Sequence, residues 1–308
     1  MSLPDIVEVE QQENLPEPLA KDSVERATQL LSEVEDIPSA PPVAFKLLSM
    51  LKKRNQNNDE VVEIIKYDAN LTASVLKACN AGVYKGISEV SSIEDAVLRI
   101  GYQRLNEVVV ALSVGKVINK TKRETYISPY DLWRETLRSS FAAKELVGEC
   151  KALTIDPNLA FTVGLLSHMG RFALMNWPSE ETLKIPELMQ KDRVPYHEAE
   201  YSVLGTTSSV IGYILLEQWN LPKEMAEATY FKDFPEYSSD AEKLSYLSYM
   251  AGVCADLVDE EDPVAVFDER VPEDVMKTIG LTREGMGQVM DQMEAKATEI
   301  QGYMMVAG

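Results

Sequence analysis

The sequence is poor in the residues that build metal centres and disulfide frameworks. Its 308 residues include only two histidines and three cysteines. Cys79, Cys150 and Cys254 lie far apart, with no Cys-x-x-Cys spacing and no accompanying cluster of histidines. This distribution argues against a metal or redox motif built from cysteine. We therefore predict that the three thiols are free core residues in a reducing cytoplasm.

The chain also lacks an excess of basic residues and any long apolar run. It contains 30 lysines and arginines against 50 aspartates and glutamates, for a net charge of −20. A negative field of this size repels nucleic-acid backbones and anionic membranes, so neither is an expected partner. No run reaches the roughly 18 apolar residues of a membrane span, and the acidic start lacks the positive n-region of a signal peptide. We predict a cytoplasmic protein.

Strand signals are missing as well. No stretch alternates apolar and polar residues over the length of a strand, and no Asn-Gly or Asp-Gly hairpin turn occurs. Apolar residues instead recur at helical spacing through most of the chain, which predicts an all-α fold with a dozen or more helices. Residues 1–21 are the exception, because they are acidic, contain prolines and show no periodicity. We predict a flexible tail there.

The most apolar stretch, residues 156–177, is predicted to be a single buried helix. Asp156 can cap its start, and Pro157 suits the first helical position. His168 lies in this stretch, and two interpretations remain open for it. A hydrogen-bonded core histidine is the commoner one, and a metal ligand is the other. The apolar stripe that predicts burial comprises Leu159, Val163, Leu166, Gly170, Ala173 and Trp177.

Local signals divide the rest of the chain. Ser128 precedes a proline and predicts a second helix start, while Ser91 and Glu94 have the spacing of a capping box. Gly101 is predicted to separate two helices. The last helix, residues 283–303, is rich in methionine. We predict that it packs onto the body of the protein, with an adaptable partner groove as the alternative.

Three stretches, taken together and in this order, carry a family resemblance. They are DIPSAPPVAFKLL followed by IIKYDANLTASVLKACNAGVYKGISEVSSIEDAVLRIGYQRLNEVVVAL, then DLWRETLRSSFAAKELV, then AFTVGLLSHMGRFAL. Over residues 36–252 the chain resembles the HDOD family, the HD-related output domains of bacterial signalling. The resemblance implies a multi-helix bundle with an HD-like second half. After the tail, it predicts an HDOD domain at 22–258, with subdomains at 22–120 and 128–258, and a C-terminal helical extension at 259–308.

The related HD phosphohydrolases hold a metal with a His on one helix, an adjacent His-Asp pair on a second helix and a late Asp. The resemblance places these positions at Glu135, at the pair His168 and Met169, and at Gly252. A thioether does not bind hard ions such as Mg²⁺, and a catalytic metal usually has three protein ligands. The HD site is therefore predicted to be degenerate, with no catalytic residue, no bound metal and no cofactor.

Alternatives remain open at these positions. Arg171 keeps a cation near the former metal site, where it would either pair with a carboxylate such as Glu135, which we favour, or bind a small anion or nucleotide without turnover. Asp256 would be the late ligand if the alignment is shifted, giving a rebuilt phosphohydrolase site with His168 and Glu135. Ser167 is not a predicted nucleophile, because consecutive helical side chains point in different directions.

The preferred hypothesis is a non-catalytic signal-transduction module that acts through protein–protein contacts. Enzymatic activity is left open, with metal-dependent phosphohydrolysis as the alternative from a different class. The resemblance implies other signalling proteins as partners and allows a homodimer. The second histidine, His197, is predicted to be a solvated surface residue.

Overall fold

The computed structural model describes residues 15–34, 62–63, 65–66, 68–81, 84, 86, 88–118, 125–177, 179–239 and 241–307. Every regular element in these ranges is a helix, which confirms the all-α prediction. None of the described helices is long and apolar enough to cross a membrane. Most of the predicted acidic tail lies outside the described residues.

Two helices of the first half begin at the start signals predicted from the sequence. The Asp156 carboxylate accepts the backbone N–H of Asn158 at 2.8 Å, and the Ser128 hydroxyl accepts the N–H of Asp131 at 3.0 Å. The described helices of the first half are α1 (Lys21–Glu33), α2 (Ala69–Cys79), α3 (Ile93–Ile118), α4 (Pro129–Glu149), α5 (Pro157–Leu166), α6 (Met169–Met175) and α7 (Lys184–Asp192).

The second half continues with shorter helices joined by tight turns. The predicted last helix, residues 283–303, is divided at Lys296 into two helices. Short 3-10 turns lie at Glu17–Leu19, Glu180–Leu183 and Pro235–Tyr237. The remaining helices are α8 (Tyr196–Leu204), α9 (Ser208–Gln218), α10 (Lys223–Tyr230), α11 (Glu242–Leu257), α12 (Pro263–Arg270), α13 (Glu273–Ile279), α14 (Arg283–Ala295) and α15 (Ala297–Ala307).

Residues 156–177 do not form the single helix that we predicted. α5 ends at Leu166 and α6 begins at Met169, and His168 between them has φ −101° and ψ 4°, outside the α-helical region. The predicted burial is confirmed, since residues 160–175 are all buried. Periodicity could not reveal the break, because a segment that is apolar on every side carries no information about its phase.

Helix α3 confirms the predicted separation at Gly101, where the backbone has φ 77° and ψ 162°. This left-handed φ suits glycine, which has no Cβ to clash with the backbone. The start of the helix differs by one residue from the prediction. The Ser92 hydroxyl, not that of Ser91, accepts the N–H of Asp95 at 3.0 Å.

The chain folds into two compact units, each assembled from segments that are far apart in the sequence. The predicted domain boundaries, which follow the chain in order, stay a prediction. Unit 1 comprises Met1–Ser39, Thr121–Leu132 and Leu166–Tyr249, and unit 2 comprises Ala40–Lys120, Trp133–Leu165 and Met250–Gly308.

In unit 1 the N-terminal helix α1 packs against α9. The Leu19 carbonyl accepts a hydrogen bond from the Tyr230 hydroxyl, and the Ser23 hydroxyl donates to that of Thr206 at 3.0 Å. Both bonds are buried. Residues that precede the family-like region are therefore part of the core, through an apolar face made of Val24, Ala27, Leu30 and Leu31.

Helices α6 and α9 of unit 1 approach each other at backbone distance. A Cβ built on Gly170 would lie 1.8 Å from the Ser208 carbonyl oxygen and 2.8 Å from the Gly212 nitrogen. No side chain larger than hydrogen fits in that space. The two backbones are in contact because both helices present glycine at the crossing.

In unit 2 a buried network of charges holds the C-terminal helix α15. Glu107, which is 1% exposed, forms ion pairs with Lys144 and, at 2.9 Å, with Arg104. Glu299 on α15 accepts from Arg104 and from Lys296, each at 3.2 Å. Two carboxylates that would be costly to bury alone are thus compensated by three cations.

The methionine-rich helix α14 packs within unit 2, as predicted. Met286, Met290 and Met293 are all buried. The Cys254 Sγ lies 3.9 Å from the Met286 Sδ. The three cysteines of the chain are free and buried, which confirms that part of the sequence prediction.

The contact between α6 and α9 yields a first prediction. Gly170→Ala would force a methyl group into the Ser208 carbonyl, and we expect it to lower the free energy of unfolding by at least about 2 kcal/mol. Gly148→Ala is the matched control, because a Cβ there meets nothing within 4 Å, and it should gain about 0.5–1 kcal/mol. Urea unfolding measures both. Equal stability of the Gly170→Ala variant and wild type would contradict the close contact.

Candidate functional site

His168 and Met169, the predicted remnants of the HD pair, lie at the start of α6 in unit 1. Both side chains are buried. His168 occupies the N-cap position of the helix, and its carbonyl accepts the N–H of Phe172 at 3.3 Å. Met169 presents an apolar thioether, and its correspondence to the metal-binding aspartate of HD hydrolases stays a prediction from the family resemblance.

Arg171 lies one residue after Gly170 and is only 8% exposed. Its guanidinium carbon is 3.7 Å from the centre of the Tyr196 ring, which is within range of a cation–π interaction. The Tyr126 hydroxyl donates to the Arg171 carbonyl at 3.5 Å, and the rings of Tyr126 and Tyr196 are 6.2 Å apart. Two tyrosines thus border the arginine.

Glu200 on α8 is the most deeply buried carboxylate of this region, with 0% exposure. One of its oxygens, Oε2, accepts the backbone N–H of Ser208 at 2.8 Å and the Ser208 hydroxyl at 2.9 Å. Burial raises the pKa of Glu200 from 4.5 to about 7, although Arg171, both hydrogen bonds from Ser208 and Lys232 lower it. Its charge is therefore only partly compensated near neutral pH.

Asp233 lies on the other side of the same polar group. It accepts the Ser209 hydroxyl at 2.7 Å, and its carboxylate is 3.9 Å from the His197 Nδ1. Burial alone would raise the pKa of Asp233. Four neighbouring groups outweigh burial and hold this pKa below the ordinary value of an aspartate: Lys232, His197, the Ser209 hydroxyl and Arg171. Asp233 therefore stays ionised at neutral pH.

His197 does not have the solvated environment that we predicted. Its side chain is 20% exposed, and its ring lies 5.1 Å from that of Phe234 in an edge-on contact. The prediction was wrong because the polar residues around His197 suggested an exposed face. Asp233 and Phe234, which cover it, lie more than thirty residues later in the sequence.

Arg171 was predicted from the sequence as a site residue, but Tyr196, Glu200 and Asp233 beside it were not. A signal for Glu200 was available. Tyr196, Glu200 and Leu204 are four residues apart, so Glu200 lies on the apolar stripe of α8. A carboxylate on such a stripe indicates a buried charge. Asp233 carries no comparable signal, because it lies in the turn after α10.

The remaining HD positions belong to unit 2. Glu135 is half-buried on α4, and Asp256 is exposed on α11. Gly252 on α11 offers no donor atom, and a Cβ there would meet nothing within 4 Å. Within the described ranges, no group of three or more His, Cys, Asp and Glu side chains is arranged to hold a metal ion.

The donor set does not fit the metal centre of HD phosphohydrolases. Of the four ligand positions, Met169 offers a thioether, which is unsuited to hard ions, and Gly252 offers no side chain. His168 and Glu135 are the two remaining donors, one fewer than a catalytic metal usually has. The assignment of these positions rests on the family resemblance and stays a prediction.

Residues 37–235 match the model of the HDOD domain. The match covers more than half of the chain, and the chain therefore belongs to the HDOD family. A Treponema pallidum (strain Nichols) protein, described only as uncharacterized, is 22% identical over 261 residues, which cover 84% of this chain. The chain spans 49% of the length of that relative.

Solved structures show the same fold at low identity. An HDOD domain protein of unknown function from Geobacter sulfurreducens has a TM-score of 0.75 at 18% identity, covering 92% of this chain and 97% of its own. A candidate signal transduction protein from Marinobacter aquaeolei VT8 has 0.77 at 18%, covering 96% and 68%. A candidate phosphohydrolase from Shewanella amazonensis SB2B has 0.66 at 22%, covering 91% and 98%.

The environment of Arg171 yields a second prediction. Since Arg171 lowers the pKa of both Glu200 and Asp233, Arg171→Gln should raise both pKa values. Carboxyl ¹³C NMR titration measures them directly. The control is Arg270→Gln, which removes an exposed arginine of unit 2 and should leave both titrations unchanged. Unaltered titration of Glu200 and Asp233 in Arg171→Gln would show that the guanidinium does not act on them.

Proposed function

We propose that this chain is a non-catalytic regulatory protein that acts by binding other signalling proteins. The observation that supports the proposal is the donor set at the HD positions. Met169 stands in place of the metal-binding aspartate, and its thioether is buried at the start of α6. A protein that keeps the HDOD fold without a complete ligand set retains surfaces for binding but not the means to activate water on a metal.

The same fold occurs in structural neighbours named for signalling and in neighbours named for hydrolysis. One structural neighbour is named as a candidate signal transduction protein and another as a candidate phosphohydrolase. A rebuilt hydrolase site would have to use His168, Glu135 and Asp256. We place this alternative second, since it needs a shifted alignment to supply its third ligand.

An anion sensor at Arg171 is the weaker of the binding hypotheses. Glu200 and Asp233 both act electrostatically on Arg171, and Tyr196 covers a face of its guanidinium. Two carboxylates beside a cation disfavour a further anion. We therefore assign Arg171 a structural role in unit 1.

The metal content of the purified protein tests the proposal. Protein prepared without chelator, and again after incubation with Mn²⁺, Fe²⁺ and Zn²⁺, should show near-zero stoichiometry for each ion, because too few ligands converge. It should also fail to hydrolyse a phosphodiester under the same conditions. One tightly held ion per chain that is lost in His168→Ala but kept in His197→Ala, the only other histidine variant, would overturn the proposal.

A genetic experiment tests whether the chain acts in the cell without chemistry at His168. If the chain acts through binding alone, wild type and His168→Ala should restore the transcript profile of a deletion strain equally well. The His168→Ala protein must first be shown to fold, by circular dichroism and urea unfolding. Restoration by wild type and not by a folded His168→Ala variant would indicate that the HD position has a chemical role.

A further inference from the structure

The turn between α8 and α9, residues 204–209, is held by side chains from several parts of unit 1. We call these residues the α8–α9 joint. Gly205 has a left-handed φ of 72°. From α1, Arg26 donates its Nε–H to the Leu204 carbonyl at 3.0 Å, and Ser23 donates to Thr206 at the same distance. Two polar contacts therefore attach the N-terminal helix to the joint.

Glu200 closes the joint from the inside. Its Oε2 receives both the N–H and the hydroxyl of Ser208, the first residue of α9. Its Oε1 is buried and receives no hydrogen bond from the residues that the structure describes. A fully buried carboxylate with one unbonded oxygen is poorly stabilised in its ionised form.

Charged and titratable groups face Glu200 from three directions. Arg171 comes from α6, Lys232 follows α10, and Tyr196 belongs to the first turn of α8 itself. Arg171 and Lys232 favour the ionised carboxylate, whereas burial opposes it. Asp233 and His197 lie next to this group, and Asp233 remains ionised throughout the neutral range.

We propose that protonation of Glu200 controls how tightly the α8–α9 joint is closed and how firmly α1 is held on α9. Protonated Glu200 can be buried at little cost, and the joint stays closed. Ionised Glu200 is stabilised by contact with water, so the joint opens more often. This opening weakens the contacts of Ser23 and Arg26 with the joint. The device is independent of whether the chain is a hydrolase or a binding protein.

The direction of the effect follows from proton linkage. Opening that exposes Glu200 returns its pKa from about 7 toward the ordinary 4.5. Between these values the closed joint holds a proton that the open joint releases, so each pH unit gained makes opening up to about tenfold easier. The stabilisation of the closed joint by protonated Glu200 is complete below the pKa of the open joint and lost above the pKa of the closed joint. Because the pKa of Asp233 is lowered, its own contribution to the pH dependence of stability falls at more acidic pH.

Hydrogen exchange measured from pH 5 to pH 8 tests the proposal. After division by the intrinsic rate at each pH, the protection of the amides of Ser208 and Val210, and of α1, should fall at least tenfold between pH 5 and pH 7 and then level off. Glu200→Gln, which cannot ionise, should give protection that does not change with pH. The matched control is Glu198→Gln, an exposed position of the same helix, which should behave like wild type.

A second variant keeps the test decisive if Glu200→Gln fails to fold. Ser208→Ala removes a hydroxyl that lowers the pKa of Glu200, so protection should level off at a higher pH than in wild type. Carboxyl NMR of the wild-type protein adds a direct measurement. Titration of Glu200 with a midpoint near 4.5, or a pH dependence that survives in Glu200→Gln, would overturn the proposal and assign any remaining effect to another group.

Discussion

The backbone contact between Gly170 and the start of α9 is the constraint on which the polar centre of unit 1 depends. The Ser208 carbonyl occupies the space where a Cβ of residue 170 would lie. For this reason α6 and α9 pack at this distance only with glycine at position 170. The next residue of α6 is Arg171, so the same contact positions a buried guanidinium beside the first turn of α9. A cation in that place requires carboxylates nearby, and Glu200 and Asp233 supply them.

This arrangement differs chemically from the metal centre that the HD resemblance would place at His168 and Met169. A metal ion would concentrate positive charge among several converging ligands. Here the positive charge belongs to Arg171, which is permanent and is stacked on Tyr196, while Met169 contributes only apolar surface. Belonging to the HDOD family accounts for the fold, and the donor set accounts for our preference for regulation over turnover. The partners remain a proposal, since family and fold do not identify them.

Two helices near the ends of the chain, α1 and α15, pack into the two units. The N-terminal helix α1 buries an apolar face in unit 1. The C-terminal helix α15 enters unit 2 through Glu299, whose burial is compensated by Arg104 and Lys296. Both segments lie outside the matched residues 37–235. The periodicity of α1 predicted its apolar stripe, but nothing in the local sequence of Glu299 distinguished it from a solvated glutamate, since its cationic partner Arg104 is almost two hundred residues away.

Features that depend on neighbours along the chain could be predicted from the residues alone. Helix starts at Ser128 and Asp156, the separation at Gly101 and the burial of residues 160–175 all follow from caps, backbone freedom and apolar spacing. The family was identified from the order of three stretches. The break at His168, the partial burial of His197 and the grouping of Arg171 with Glu200 and Asp233 became visible in the folded protein alone. These features depend on contacts between residues distant in sequence, and the cost of burying a charge is determined by whatever the fold places next to it.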